Sequence, residues 1–329
     1  MSRALIEVEN LSVELSTERG ALHAVNGVSL SLAPSRSLGV VGESGSGKTM
    51  LSRAMLRLLP KNASVRGSVR FDGRDILTLP REALRRLRGR ELAVIFQDPM
   101  TSLNPVLTVG GQIAEALTEH MGLRVYAAQL RAVELLAEVG IPEPARRARQ
   151  YPHQLSGGMR QRVAIAIALS CEPRLLIADE PTTALDVTVQ AQILDLLARE
   201  RQRRQMALIL ITHDLGVVAG RTDEVAVMYA GRIVERAPTR DLFKRMRSPY
   251  AEALMQAIPM LHAPPHTRLQ AIGGAPPDPT RPPPGCAFSP RCRYARERCR
   301  RDVPPLAAEP DGHQYACWFP LAERAAIEA

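Results

Sequence analysis

The chain has 329 residues, of which 45% are hydrophobic and 23% are charged. This composition excludes a disordered, collagenous or coiled-coil protein, and it provides enough apolar residues for one large domain or two small ones. The chain carries 43 basic and 34 acidic residues, a net charge of +9. That charge suits nucleic acid, an anionic membrane or a phosphate-bearing ligand, and it equally suits arginines on solvated helix faces.

Targeting and membrane-spanning signals are missing from the sequence. The longest apolar run, residues 163–171, is about half the length that a spanning helix needs. The N-terminus carries Glu7 and Glu9 where an export signal would need apolar residues. Aromatic residues form only 4% of the chain, which disfavours a base-stacking surface for single-stranded nucleic acid. We therefore expect a cytosolic chain, which can still lie against a membrane protein.

Short apolar segments alternate with segments of helical periodicity along the first 240 residues. Strands are predicted within residues 5–41 and 65–79 and at residues 93–96, 175–178 and 208–212. Helices are predicted at residues 50–59, 108–140, 157–171 and 188–202. This alternation predicts an α/β fold with a parallel sheet covered by helices on both faces.

The composition changes after about residue 258. More than half of the 26 prolines and four of the five cysteines lie beyond that point. Because proline lacks a backbone N–H and fixes its φ angle, we expect no regular helix or sheet in this tail. The tail is predicted to be either a loose linker or a small unit held by a cross-link or a metal.

Residues 42–49 fit the phosphate-binding pattern G-x-x-x-x-G-K-[ST]. They follow an apolar strand and precede a helix, which is the context that this pattern needs. Glycines allow successive N–H groups to face one anion, and the helix N-terminus adds partial positive charge. We predict that Lys48 reaches the β- and γ-phosphates of a nucleotide and that Thr49 ligates Mg²⁺. The predicted cradle consists of Gly42, Glu43, Ser44, Gly45, Ser46, Gly47, Lys48 and Thr49.

Two adjacent carboxylates, Asp179 and Glu180, follow the apolar strand at 175–178. In a phosphoryl-transfer site the first carboxylate holds Mg²⁺ through water. The second polarises the attacking water as a general base. A strand-to-loop transition alone also explains such a pair, but the phosphate loop favours the functional interpretation.

The segment Ser156-Gly157-Gly158 opens a predicted helix and forms a second anion-binding helix start. One nucleotide needs only one such start in a chain, so the second is predicted to serve the nucleotide held by another subunit. Helix capping by Ser156 is the simpler alternative.

Six motifs occur together in an order that resembles the nucleotide-binding subunits of ABC transporters over residues 5–240. They are the phosphate loop, Gln97, Leu-Ser-Gly-Gly-Met at 155–159, Asp179-Glu180, Ala184-Leu185-Asp186 and His213. The resemblance implies that two subunits dimerise head to tail around two ATP molecules. It implies that Gln97 couples the γ-phosphate and its Mg²⁺ to a transmembrane partner and that Asp186 lies at the dimer interface. His213 is implied to contact the γ-phosphate and to position Glu180 and the water.

A narrower resemblance is to the ATPases of oligopeptide/dipeptide importers, a group that also imports nickel chelates and related small solutes. It is carried by residues 95–105 and 151–155, Ser248-Pro249-Tyr250 and Ala257-Ile258-Pro259. It implies a P-loop NTPase core of ABC type at 1–96 and 161–240. It also implies an inserted helical subdomain at 97–160 and a Pro/Cys-rich C-terminal extension at 241–329.

The same resemblance implies the partners and the place of the chain in the cell. A second ABC ATPase subunit, either a copy or a related chain, would complete the dimer. Two transmembrane permease subunits would bind the dimer, and an extracytoplasmic solute-binding protein would act with it indirectly. The chain would lie peripherally at the cytoplasmic face of the inner membrane, and no nucleic acid partner is expected. The sequence does not name the solute.

One departure from the family concerns the base of the nucleotide. The family usually stacks adenine on an aromatic side chain shortly after the first strand, whereas this chain has none before Phe71. Leu15 stands at that place, and an apolar contact instead of stacking costs about 1 kcal/mol. Adenine selectivity is therefore left open, as is hydrolysis of other nucleoside triphosphates.

The tail cysteines have the spacing C-x5-C-x6-C-x17-C, formed by Cys286, Cys292, Cys299 and Cys317. Four thiols in a short cytosolic segment favour a metal unit over disulfides, although the C-x2-C pair of common zinc folds is missing. Their flanking residues resemble the importer tail, some members of which carry a [4Fe–4S] cluster. An iron–sulfur cluster, Zn²⁺ and free or disulfide-bonded thiols all stay open. Cys171 is predicted to be a core residue.

A second function stays open at this point, that of a soluble ABC ATPase acting on ribosomes or nucleic acid. The basic charge is compatible with it. Translation factors of this kind usually fuse two ATPase units, whereas this chain has one phosphate loop. Repair ATPases insert a long coiled coil, and the sequence contains none. These features favour the transport subunit.

Overall fold

The computed structural model describes residues 4–97, 102–183, 185–258 and 271–321. They form two compact units. Unit 1 comprises the start of the chain, Ala33–Arg36 and Thr78–Ile209. Unit 2 comprises Ile6–Leu32, Ser37–Leu77 and the described residues from Leu210 onward.

Strands and helices alternate along most of the chain. The strands are β1 (Ile6–Thr17), β2 (Gly20–Leu32), β3 (Ser37–Val41), β4 (Ala63–Phe71), β5 (Arg74–Asp75), β6 (Leu92–Ile95), β7 (Leu175–Asp179), β8 (Ala207–Thr212), β9 (Glu224–Tyr229), β10 (Arg232–Pro238), β11 (Ala307–Ala308) and β12 (Gln314–Tyr315). The helices are α1 (Lys48–Met55), α2 (Arg81–Leu87), α3 (Val109–Met121), α4 (Val125–Glu138), α5 (Pro144–Arg147), α6 (Gly157–Leu169), α7 (Val187–Arg204), α8 (Leu215–Val218), α9 (Thr239–Lys244), α10 (Pro249–Gln256) and α11 (Glu297–Arg301). A 3-10 turn covers Pro152–Gln154.

Unit 2 contains an antiparallel sheet with the strand order β2-β1-β4-β5. The alternation of apolar and polar residues along β1 sends Val8, Leu11 and Val13 into the core. A second set of strands in unit 2 follows the order β11-β12-β10-β9-β3. Strands β3 and β9 pair in parallel, and all five residues of β3 are buried, as a strand covered on both faces requires. The phosphate loop follows β3 directly.

Unit 1 contains the parallel pair β6 and β7, whose five-residue β7 is fully buried. Its helices α3 and α4 bury an apolar stripe that includes Ile113, Leu117 and Leu136. The helical run predicted at 108–140 is divided into these two helices at Gly122, which caps α3 with a φ of 68°. Glycine adopts this left-handed conformation without a steric penalty, so the helix ends there.

Most predicted elements are confirmed to within a few residues, with the exceptions of the divided run at 108–140 and the end of α1. Helix α1 ends at Met55, before the predicted end at residue 59. Strands β9 and β10 were not among the predicted strands. They pair in antiparallel fashion, so the sheet set is mixed rather than purely parallel. Within the described ranges, no helix combines the length and apolar character needed to cross a bilayer.

The prediction of a tail without regular structure is wrong, because the tail adds strands to unit 2. Strand β12 pairs with β10 through Glu235 and Tyr315, and β11 pairs with β12. His313 and Glu235 are both fully buried and lie 2.7 Å apart (Nε2 to Oε1). The Glu235 carboxylate also accepts hydrogen bonds from the backbone N–H of Arg247 and Ser248. This buried polar cluster fixes the end of the tail to the edge of β10.

Candidate nucleotide-binding site

The phosphate loop of unit 2 has the backbone conformation that its sequence predicts. Gly45 and Gly47 have φ angles of 80° and 102°, which side-chain-bearing residues rarely adopt. A Cβ atom at Gly42 would overlap the carbonyl oxygen of Met228, and one at Gly47 would overlap that of Ala24. Helix α1 begins directly after Gly47, so its first N–H groups face the loop.

The Lys48 ammonium lies inside the loop and is only 4% exposed. It donates hydrogen bonds to the carbonyl oxygens of Gly42 (2.7 Å) and Glu43 (2.9 Å) and makes a longer contact with the Ser46 hydroxyl (3.4 Å). The carbonyl oxygens are neutral acceptors, and phosphate oxygens can replace them with stronger charge-assisted hydrogen bonds. Thr49 is half-buried on the first turn of α1.

The predicted carboxylate pair lies at the end of β7 in unit 1. Asp179 is the last residue of the strand and is 2% exposed. Glu180 has a φ of 48°, a strained conformation for a residue with a side chain. Its Oε2 accepts hydrogen bonds from Gln97 Nε2 (3.0 Å) and Thr183 Oγ1 (2.9 Å). Two neutral donors therefore fix the orientation of this carboxylate.

Thr183 contacts Glu180 but was not among the predicted site residues. Its hydroxyl bonds Glu180 from three positions further along the chain. The spacing was visible, but a threonine in a loop carries no signal of its own. Gln97 was predicted at the site through its family role, and the hydrogen bond to Glu180 adds a contact within unit 1.

The predicted second helix start, at Ser156, lies at the N-terminus of α6 in unit 1. Ser156 is exposed, and its hydroxyl accepts a hydrogen bond from the N–H of Met159 (3.3 Å). Asp186 caps α7 in the same way, by accepting from the N–H of Val189 (2.9 Å). Both residues therefore cap helices, as the simpler alternative predicted for Ser156. Capping leaves other N–H groups of the first turn available to an anion.

His213 follows β8 directly and is exposed in unit 2. The next residue, Asp214, caps the short helix α8 through the N–H of Gly216 (2.7 Å). Three parts of the predicted motifs lie outside the described residues, namely 98–101, Ala184 and Pro259.

A residue of the tail reaches the phosphate loop, which the sequence analysis did not predict. Arg291 donates to both carboxylate oxygens of Glu43, at 2.7 and 2.9 Å. Its guanidinium also donates to the hydroxyl of Tyr229 (3.2 Å). The hydrogen bond to Glu43 raises the pKa of Arg291 above its ordinary value. The N–H of Glu43 in turn donates to the hydroxyl of Tyr250 (2.9 Å), whose pKa is raised by burial.

The four tail cysteines line one cavity of about 340 Å³ in unit 2, and all carry free thiols. Burial raises the pKa of Cys286 and Cys292, and it raises the pKa of Cys317 to about 11. Among the described residues, no group of three or more His, Cys, Asp or Glu side chains has an arrangement that could hold a metal ion. The described residues therefore show neither the predicted iron–sulfur site nor a zinc site. Cys171 is buried, as predicted for a core residue.

Comparison with known proteins identifies the family. Residues 25–183 match the ABC transporter family, and residues 234–299 match the C-terminal region of oligopeptide/dipeptide transporters. The oligopeptide transport ATP-binding protein OppD of Salmonella typhimurium is 48% identical over 98% of this chain and 96% of its own. The dipeptide transport ATP-binding protein DppD of Escherichia coli is 47% identical over 97% of both chains.

A solved structure also resembles this fold. The ATP-binding cassette MJ0796, in a dimeric post-hydrolysis state with ADP and Pi, is 27% identical with a TM-score of 0.64. It covers 71% of this chain and 99% of its own. The fold and the phosphate loop are thus those of an ABC-type ATPase. Within that class, the chain belongs to the family of oligopeptide/dipeptide transport ATP-binding proteins.

Proposed function

We propose that this chain powers the import of oligopeptides, dipeptides or a related small solute by hydrolysing ATP. The observation that carries the proposal is that relatives named for oligopeptide and dipeptide transport align with 97–98% of the chain, and that residues 234–299 match the C-terminal region of such transporters. None of the described helices is suited to crossing a membrane, so separate transmembrane subunits would form the path for the solute. The chain would lie peripherally at the cytoplasmic face of the inner membrane.

In this proposal the phosphate loop binds the triphosphate. The Lys48 ammonium exchanges its bonds to the carbonyls of Gly42 and Glu43 for bonds to the phosphates. Thr49 and the buried Asp179 provide oxygen donors, which are the ligands that Mg²⁺ prefers. When bound there, Mg²⁺ would reduce the negative charge of the phosphates that an attacking water must approach.

Glu180 is proposed as the general base. Its carboxylate is 8% exposed and is held by Gln97 and Thr183, so it can accept a proton from water without first being reoriented. His213 is proposed to contact the γ-phosphate, because it is exposed at the end of β8 and neutral imidazole can donate or accept a proton.

A second ATPase subunit, identical or related, is proposed to complete each nucleotide site. The exposed capping residues Ser156 and Asp186 stand at two helix N-termini of unit 1, where a partner's nucleotide can approach. Gly157 and Gly158 follow Ser156 and keep that first turn without side chains. The boundaries at residues 97, 161 and 241 remain the proposed division into helical subdomain, core and extension.

Two transmembrane permease subunits are proposed as further partners, with a solute-binding protein acting indirectly. Unit 1 exposes several large apolar side chains just before α3, at the junction of α3 and α4, and in the first half of α4. They are Val106, Leu107, Met121, Leu123, Val125, Tyr126 and Leu130. Exposed apolar patches mark protein–protein contacts. We assign it to the permease subunits.

The tail cysteines are proposed to hold a [4Fe–4S] cluster, with Zn²⁺ as the competing occupant. Four unpaired thiols border one cavity, which supports a shared occupant. A single Zn²⁺ would draw the four sulfurs to about 2.3 Å from itself. Bound to the thiolates, the cluster would cross-link segments of the tail.

The experiment that tests the proposed function is purification of the chain with its permease subunits, followed by ATPase measurement. Addition of peptide-loaded binding protein is expected to stimulate ATP hydrolysis, and the unloaded protein to stimulate it less. Co-sedimentation with ribosomes, together with an ATPase rate that does not respond to peptide, would instead favour the soluble ATPase.

A further inference from the structure

Arg291 of the tail and Glu43 of the phosphate loop form a two-pronged ion pair within unit 2. The two guanidinium nitrogens Nη1 and Nη2 lie 2.7 and 2.9 Å from the two carboxylate oxygens. The Arg291 side chain is only 3% exposed, and that of Glu43 is 26% exposed. Parallel charge-assisted bonds of this kind fix geometry as well as energy.

Each N–H group of the Arg291 guanidinium has a hydrogen-bond acceptor. Besides Glu43, it donates to the hydroxyl of Tyr229 and to the carbonyl oxygens of Ile272 (3.2 Å) and Gly273 (2.9 Å). These contacts account for its five N–H groups. The ring of Phe288 lies 6.0 Å from the guanidinium carbon. Hydrogen bonds on all sides restrict a buried arginine to one orientation, and they restrict the carboxylate that it pairs with.

The Glu43 end of the pair is part of the loop's own hydrogen-bond network. Its carbonyl oxygen accepts from Lys48 Nζ (2.9 Å) and from the N–H of Ser46 (3.1 Å). Its N–H donates to the hydroxyl of Tyr250. Backbone and side chain of Glu43 are thereby both fixed. The same residue places a carboxylate on the loop that receives a triphosphate, and that charge opposes nucleotide binding unless it is paired.

We propose that Arg291 is a positioning residue for nucleotide binding, which holds and neutralises Glu43 so that the phosphate loop can accept MgATP. The cysteine-containing tail then sets the ATP affinity of the chain, since Arg291 lies between Cys286 and Cys292. The proposal goes beyond peptide import and rests only on ATP binding at the phosphate loop.

A second contact joins the tail to the surroundings of the loop. The N–H of His23 donates to the carbonyl oxygen of Pro279 at 3.1 Å. Residues 276–279 and 282 border a small cavity together with loop residues 43–46. This segment follows Ile272 and Gly273, which accept from Arg291. Arg291 therefore holds the loop and the overlying proline-rich segment at once.

The test compares the full chain, assembled with its partners, with the variants R291Q, E43Q and R291Q/E43Q. In R291Q the carboxylate of Glu43 faces the triphosphate without a partner. The KM for MgATP is expected to rise about tenfold, with kcat changed by less than about twofold. In E43Q the negative charge on the loop is removed and the amide can still accept one bond from Arg291, so KM is expected to rise less than in R291Q. The double variant is expected to recover most of the loss, because no charge is left unpaired.

Two further measurements distinguish repulsion between Glu43 and the triphosphate from a general structural defect. The KM difference between R291Q and the wild type is expected to shrink as ionic strength rises, because salt screens the exposed carboxylate. R291K keeps the positive charge but cannot form the two parallel hydrogen bonds that a guanidinium makes. Its KM for MgATP is expected to lie between those of the wild type and R291Q. If R291Q does not fold, R291K is compared with the wild type in its place.

The control variant is R293Q, which removes another ion pair of the same tail. Arg293 pairs with Glu252 at 2.7 Å and does not touch the phosphate loop. Its KM for MgATP is expected to stay within about twofold of the wild type. A KM for R291Q that matches that of R293Q would overturn the proposal, as would a double variant as weak as R291Q. K48A separates failure of the Arg291 proposal from failure of the phosphate-loop assignment. Unchanged ATP binding in K48A would contradict the phosphate-loop assignment itself.

Discussion

The side-chain amide of Gln97 donates a 3.0 Å hydrogen bond to the Oε2 atom of Glu180 within unit 1. Family resemblance assigns Gln97 to the γ-phosphate, its Mg²⁺ and the coupling to a transmembrane partner. The amide that would sense the nucleotide is thus bound, in this state, to the carboxylate that would activate the water. Mg²⁺ would bind the amide oxygen of Gln97, so the Nε2–H bond to Glu180 can persist and would connect that ligand to the proposed base.

Replacement of Glu180 by Gln is expected to leave ATP binding intact and to lower kcat at least about hundredfold. The amide keeps the shape of the carboxylate and can still accept from Gln97 and Thr183, but it is too weak a base to take a proton from water. Single-turnover hydrolysis and equilibrium ATP binding measure the two effects separately. The variant is also expected to accumulate as the ATP-bound dimer in size-exclusion chromatography. Wild-type turnover would remove Glu180 from its proposed role.

Replacement of Lys48 by Ala is expected to act on binding rather than on chemistry alone. It removes the cation that the carbonyls of Gly42 and Glu43 hold at 2.7 and 2.9 Å, so the Kd for ATP should rise at least about tenfold. Isothermal titration with ATP provides the measurement. K244A serves as the control, because Lys244 is a lysine near the end of α9, outside the loop. Equal affinities in the two variants would contradict the assignment of the loop.

Local sequence patterns predicted the parts of the site that a short segment can specify by itself. The glycines of residues 42–49, the apolar strand before Asp179 and the cap at Ser156 each act over a few residues. The β9–β10 hairpin was missed, although Gly231 after an apolar run is a signal for a tight turn.

Contacts between distant residues could not be predicted from the sequence in this way. Arg291 and Glu43 are 248 positions apart, and Gln97 and Glu180 are 83 apart. Neither pair has a periodicity or a spacing that brings it together. The tail strands β11 and β12 have only two residues each, and they exist because β10 offers an edge on which β12 can pair. The proline content reflects only the local backbone preferences of the tail. It gives no information about pairing with the edge of β10.

Replacement of Ser156 by Ala is expected to impair catalysis in the dimer beyond its effect on stability. Loss of the cap to Met159 destabilises the start of α6 by about 1 kcal/mol. T108A is the matched control, because Thr108 caps α3 by the same kind of bond to Gly111 (3.2 Å). Both variants should lose similar stability in urea, whereas S156A alone should lose most of the ATPase activity. ATPase rate per chain should rise with protein concentration in the wild type. A concentration-independent rate in a strict monomer, unaffected by S156A, would exclude the shared site.

Replacement of Cys317 by Ser tests the occupant of the tail cavity. Anaerobically purified wild-type protein is expected to contain about four iron and four sulfide per chain, and C317S distinctly less. C171A is the control, since Cys171 lies in the core of unit 1 and should leave the iron content unchanged. About one zinc per chain with no sulfide would identify the competing occupant. Absence of both metals from the wild-type protein would exclude a metal unit in the tail.

Nucleotide selectivity provides the last prediction, because Leu15 stands where an aromatic side chain is usual. Leu15 is half-buried on β1 and lies opposite Leu22 on β2. An aliphatic side chain contacts any base about equally, so the wild type is expected to hydrolyse ATP and GTP with kcat/KM values within about tenfold. L15Y adds a ring that can stack on adenine, and stacking of about 1 kcal/mol should raise the preference for ATP about fivefold. The measurement is kcat/KM for both nucleotides in both proteins. An unchanged ratio in L15Y would mean that the base binds away from β1, and a strong ATP preference in the wild type would mean that other residues replace the missing ring.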